Sequence, residues 1–247
     1  MRTKNAIYNI LATWIGQFLL IFVTLLSRKI FLQTLGADYL GVDGLFANIL
    51  SFLSMAELGI GSAITYSLYK PLAINDVENM KSLMKLYKIS YCTIGVLIFA
   101  AGVILVPFLP YIVSNSNGLE NITIIYFLFL INTSVSYFFS YKSALIIADQ
   151  KKYIFNINHY TWKITLSIVQ IIAIIKSRNY FAYLLLQVVG TILENYTVAR
   201  IADKRYPWLK DKSTKKLAKD TVDEIKKNTA SMMLNKVGTT LVTSTDS

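Results

Sequence analysis

Long apolar blocks alternate with short polar segments along the chain, and the blocks are longer than buried strands or ordinary core helices require. A helix needs about 20 mostly apolar residues to cross roughly 30 Å of hydrocarbon at 1.5 Å per residue. The stretches Ala6 to Phe31, Gly44 to Tyr69, Tyr87 to Val113, Ile122 to Ile147, Tyr153 to Ile175 and Phe181 to Ala202 all reach that length. None alternates in the manner of a barrel strand. The pattern predicts an all-α integral membrane protein, with a six-helix transmembrane bundle over residues 1–202 and a basic, polar cytoplasmic connector over residues 203–228. Residues 229–247 begin apolar, turn rich in Ser and Thr, and stop at Asp246 and Ser247 without a flanking anchor. They are expected to be the start of a seventh transmembrane helix, cut short.

Between the second and third blocks, Asn75 and Glu78 have the spacing of a capping box, and Met80, Leu83, Met84 and Tyr87 recur at helical intervals. Lys81, Lys85 and Lys88 fall on another side. This segment is either an amphipathic helix lying on the inner surface or an extension of the third crossing. Pro107 and Pro110 end or kink that crossing near the outer surface.

Cations set the orientation. With the N-terminus inside, the inner segments hold Arg2, Lys4, Lys70, Lys81, Lys85, Lys88, Lys142, Lys151, Lys152 and the whole basic connector. The outer segments hold only Arg28, Lys29, Lys176 and Arg178. The positive-inside rule therefore places both ends of the bundle in the cytoplasm.

Composition agrees: 54% of residues are hydrophobic, 16% are charged and the mean hydropathy is +0.48. A net charge of +11 would suit nucleic acid if the cations were clustered on one face, but they lie between apolar blocks and in one tail. Lipid headgroups are sufficient partners, and no nucleic-acid partner is expected. The single cysteine, Cys92, excludes an intrachain disulfide and a cysteine-based metal site. The apolar run after Met1 to Lys4 is long and lacks a small-residue cleavage site, so a retained first helix is expected.

Soluble catalytic constellations are missing. His159 is the only histidine, and Asp211 to Thr214 lacks the glycines of a phosphate loop. The outer connections, Ser114 to Asn121 and Lys176 to Tyr180, are too short for an external catalytic domain. The chain is not expected to be an enzyme or to hold a cofactor or metal, beyond a coupling ion such as H⁺ or Na⁺.

Ionisable residues inside the blocks carry more information, because a charge at the bilayer centre costs roughly 2.5 to 3.5 kcal/mol on insertion scales. Glu57 and Lys163 fall near the middle of their blocks, and Glu194 lies somewhat inward of the middle of its own. Glu57 and Lys163 are expected to line a central cavity, with Glu194 and Asn195 on its inner side. The alternative is that they only hold helices together, through hydrogen bonds of about 1 kcal/mol or less. Gly59 and Gly61 beside Glu57 suit either a broken helix at a transport site or close helix packing. Arg28 either snorkels to the outer headgroups, as Lys29 is expected to do, or turns into the cavity to bind a phosphate. His159 and Trp162 read as interfacial anchors.

The segments Leu35-Gly36-Ala37-Asp38-Tyr39-Leu40-Gly41-Val42-Asp43-Gly44-Leu45-Phe46, Glu57-Leu58-Gly59-Ile60-Gly61 and Leu68-Tyr69-Lys70-Pro71-Leu72 give the chain a family look. It resembles bacterial polysaccharide and O-antigen repeat-unit flippases, the Wzx-like group of the multidrug/oligosaccharidyl-lipid/polysaccharide exporter superfamily. Leu234 to Asp246 is similar to the opening of that family's seventh helix. The resemblance implies a fold of two lobes around a central cavity, of which this chain would be the N-terminal lobe and would lack its C-terminal partner. It implies an undecaprenyl-diphosphate-linked oligosaccharide as substrate, moved between the leaflets of a bacterial inner membrane by alternating access, with Arg28 and Lys163 meeting the diphosphate in a cationic cavity. A lipid II flippase or drug exporter of the same superfamily is the nearest alternative, and a membrane-embedded glycosyltransferase or polymerase a remoter one.

Overall fold

The computed structural model describes residues 2–245 apart from residues 55, 56, 58, 114–120, 212–214 and 218, and the side chains of residues 5–235 among these. The described residues are helical, without strands. In order they form α1 (Arg2–Leu35), α2 (Ala37–Ser54), α3 (Ile60–Ile74), α4 (Val77–Leu105), α5 (Leu109–Ile112), α6 (Ile122–Ala148), α7 (Lys152–Ser177), α8 (Tyr180–Arg205) and α9 (Lys219–Thr245).

Four segments are long and apolar enough to cross a membrane: Asn5–Leu35, Val77–Ile112, Ile122–Ala148 and Tyr180–Arg205. They correspond to the first, third, fourth and sixth predicted crossings and mark the chain as a helical membrane protein. The other two differ from expectation for separate reasons. The block from Gly44 to Tyr69 is two helices, because Gly59 adopts φ 89°, a left-handed conformation that interrupts the ladder before α3. The block from Tyr153 to Ile175 is one helix of 26 residues. Asn156, Asn158, His159, Lys163, Ser167 and Gln170 make it too polar to qualify on apolar content.

The segment after α3 also needs correction. Asn75 is not an N-cap: with φ 55° it closes α3, and its N–H donates to the Pro71 carbonyl. Asp76 caps α4 instead, accepting from the Asn79 N–H at 3.1 Å. Helix α4 runs unbroken from Val77, so the segment extends the third crossing, burying Met80, Leu83, Met84 and Tyr87 and leaving Lys85 and Lys88 exposed. Pro107 and Pro110 lie in the 3₁₀ turn Val106–Phe108 and in α5, where the crossing changes character as anticipated.

The helices pack in the lateral order α1, α7, α8, α6, α4, α3, α9, with α2 against α1, α4 and α6. Two apolar cores form. One, with Phe46, Tyr126, Leu130, Ile174 and Leu184, lies at the end where α7 turns into α8. The other, with Leu68, Leu83, Leu145 and Ala202, lies at the opposite end. The expected connector is folded into this second core: Tyr206 and Ile225 are buried there, and Trp208, Leu209 and Leu217 pack on it. Helix α9 runs continuously through residue 229, the expected end of the connector.

Candidate functional site

Helix α7 places its polar residues on one stripe. Asn156, His159, Lys163, Ser167 and Gln170 follow one another at intervals of three or four, which is one helical face. That face meets α1 and α8. Near its start, the Asn156 side-chain amide donates to the Thr13 hydroxyl at 2.7 Å. Asn9 bridges the same pair of helices, accepting from the Tyr153 N–H at 2.6 Å and donating to the Gln150 carbonyl at 3.2 Å.

Midway along, Glu194 of α8 receives two basic neighbours from α7. His159 Nδ1 lies 2.6 Å from Glu194 Oε1, and Lys163 Nζ lies 3.9 Å from Oε2. The glutamate side chain is 14% exposed and that of Lys163 is 36% exposed, so the lysine points from the helix seam toward open space. The Trp162 N–H donates to the Thr197 hydroxyl at 2.8 Å. His159 and Trp162 thus tie α7 to α8. Further along, the Gln170 amide donates to the Tyr183 carbonyl and to Gln187 Oε1, both at 3.1 Å.

The space beside this seam is an open cleft of about 390 Å³ between α1, α2, α7 and α8. Arg28 and Ser27 line it from α1, Asp43 from α2, Lys163 and Gln170 from α7, and Gln187 from α8. Asp43 accepts from the Tyr180 hydroxyl at 3.1 Å. The cleft lining holds two cations, Arg28 and Lys163, and one carboxylate, Asp43, while Glu194 stands 3.9 Å from Lys163 outside the lining.

Of the predicted site residues, the structure brings Arg28 and Lys163 to one cleft and puts Glu194 directly behind Lys163. It does not bring Glu57 there. The Glu57 carboxylate accepts from the Tyr91 hydroxyl of α4, and the Tyr91 ring in turn packs at a tilt against Tyr87 and Tyr137. Glu57, expected to line a central cavity with Lys163, does not share the cleft lining with it. The cause is the break before α3, which leaves Glu57 in a turn facing α4 rather than on a continuous helix. Asn195 is also outside the cleft, spending its amide on the Thr191 carbonyl one turn back at 2.8 Å. Lys29 is exposed and does not line the cleft.

Asp43, Gln170 and Gln187 are cleft residues that sequence reasoning passed over. A signal for two of them was present. Gln170 lies seven residues after Lys163 and Gln187 seven before Glu194, so each shares a helix face with an ionisable residue already singled out. Among the described residues, no cluster of three His, Cys, Asp or Glu side chains is placed to hold a metal ion. The outer connection over 114–120 and the stretch 212–214 lie outside the described residues.

No protein-family model, curated protein or solved structure matches the chain. The functional reading therefore rests on the cleft and on the residues that carry the family resemblance.

Proposed function

We propose that the chain is a six-crossing lobe, with both ends in the cytoplasm, of a transporter that flips undecaprenyl-diphosphate-linked oligosaccharide across a bacterial inner membrane. The observation that carries the reading is the convergence of Arg28 and Lys163 on one open cleft within an apolar helical bundle. A guanidinium fork matches phosphate oxygens in pairs, and an ammonium offers three rotatable donors. The 3.9 Å separation of Lys163 from Glu194 exceeds hydrogen-bond length, so that ion pair leaves the ammonium donors available to a diphosphate. Two further features support six crossings. The polar face of α7 is turned toward α1 and α8, so its low apolar content does not prevent burial in lipid. Helices α2 and α3 supply one crossing in two pieces, the broken geometry that transporters use around substrates.

In this reading the open side of the cleft is where a second lobe closes, and membrane lipids surround the rest. The carboxylates favour one alternative, an exporter of cationic amphiphiles from the same superfamily, with Asp43 as the binding group. Both readings are tested by binding to the purified chain in detergent. If the first holds, Lys163→Met weakens binding of a polyprenyl-diphosphate oligosaccharide at least tenfold, as expected for losing a charge-assisted hydrogen bond of about 1.5 to 3 kcal/mol. Asp43→Asn then strengthens it. Undiminished binding in Lys163→Met sinks the flippase reading; loss of binding of a quaternary ammonium amphiphile in Asp43→Asn supports the exporter.

A further inference from the structure

Away from the cleft, at the opposite end of the bundle, the first turns of α4 and the segment after α8 enclose a second cavity of about 380 Å³. Its chemistry is two-sided. One wall carries Lys81, Lys85 and Lys88, spaced at i, i+4 and i+7 on α4 and so spread over about 10 Å of helix. The other carries Tyr141, Trp208 and Leu209. Asp211 is the one carboxylate of the lining, and it is joined to Lys81, whose Nζ lies 2.6 Å from it and 3.2 Å from Glu78. Lys81 is thus held as part of the frame, with its side chain 9% exposed, while Lys85 and Lys88 are exposed, and the three lysines together outnumber Asp211 and Glu78, which leaves the cavity a positive surplus.

We propose that this cavity is a binding site for the headgroup of an anionic membrane phospholipid. The position fits, because the lysines lie in the first four turns of a segment, Val77–Ile112, apolar enough to cross a bilayer, and therefore at headgroup depth. Charge complementarity supplies the anion, with each lysine near an anionic surface worth about fivefold in affinity. The apolar wall selects a lipid over free phosphate. A soluble anion has no use for Trp208, Leu209 and Tyr141, whereas a phospholipid brings glycerol and the tops of its acyl chains against them, and Trp and Tyr favour this level of a membrane. The site is separate from the substrate reading and does not depend on it.

The test uses the full chain with Trp14→Phe and Trp162→Phe, leaving Trp208 as the sole tryptophan, and reads quenching of its fluorescence by brominated lipids in mixed micelles. Brominated phosphatidylglycerol should quench at several-fold lower mole fraction than brominated phosphatidylcholine. In Lys85→Gln/Lys88→Gln that preference should fall to near unity with phosphatidylcholine quenching unchanged, which also shows the cavity intact. Asp211→Asn, removing the lining carboxylate, should raise the preference. Equal quenching by the two lipids in the parent chain, or a preference that survives Lys85→Gln/Lys88→Gln, overturns the proposal. So does displacement of the anionic lipid by millimolar inorganic phosphate, which would make the site one for a soluble anion.

Discussion

At the start of α4 the carboxylate of Asp76 occupies the position where backbone N–H groups have no helical partners. Asn79 supplies its own N–H at 3.1 Å and its side-chain amide at 2.6 Å, and these bonds hold the Asp76 carboxyl below its usual range. A carboxyl held low contributes stability above its unfolded value of 3.8, and that stability is lost as the pH falls through the lower folded value. The difference in thermal midpoint between the parent chain and Asp76→Ala should therefore be full at neutral pH and close below about pH 4. A difference that stays constant with pH would contradict the cap. Lys163, Glu194 and Arg28 were legible at this scale because a charge inside an apolar run is conspicuous. Asp43 was not, since it sits one residue before the expected span. The partner of Glu57 was not legible either. A phenol can satisfy a carboxylate without adding charge, so Tyr91 does not stand out in the sequence from the apolar positions around it.

The element that most changes the sequence reading is the join between α2 and α3. Gly59 has φ 89°, and a Cβ there would come within 2.9 Å of the Thr229 carbonyl of α9 and 3.0 Å of Met232. Two costs coincide: a left-handed backbone, about 1 to 2 kcal/mol for a residue with a side chain, and close approach to a second helix. Gly59→Ala should lower the unfolding midpoint and speed amide exchange in α9. Gly41→Ala, inside α2 with nothing near its Cβ, should leave stability unchanged or raise it by up to about 1 kcal/mol. Equal losses in both variants would show that Gly59 has no special place. The helices themselves were readable from long apolar runs. The break was visible as two glycines but not as a boundary, because the same letters serve close packing, and α9 touches Gly59 from more than 160 positions away in sequence.

On the scale of the whole molecule, the apolar surface describes a body made for lipid. Trp14 and Phe18 of α1 are each 75% exposed, and α1 leans mainly on α7. What hydropathy alone cannot reveal is how many helices cross, since α7 carries a polar stripe turned against its neighbours and the apolar run from Gly44 to Tyr69 is split between α2 and α3. Six crossings and four make opposite assignments at two turns. With the N-terminus inside, six put the end of α3 and the start of α7 in the cytoplasm, while crossings by Asn5–Leu35, Val77–Ile112, Ile122–Ala148 and Tyr180–Arg205 alone put both outside. The deciding measurement is labelling of intact cells with a membrane-impermeant maleimide, in a Cys92→Ser chain carrying one new cysteine at Ala73, Lys152 or Ser177. The six-crossing lobe predicts labelling of Ser177→Cys alone, with Ala73→Cys and Lys152→Cys reacting only after the cells are opened. Labelling of Ala73→Cys and Lys152→Cys from outside would contradict it.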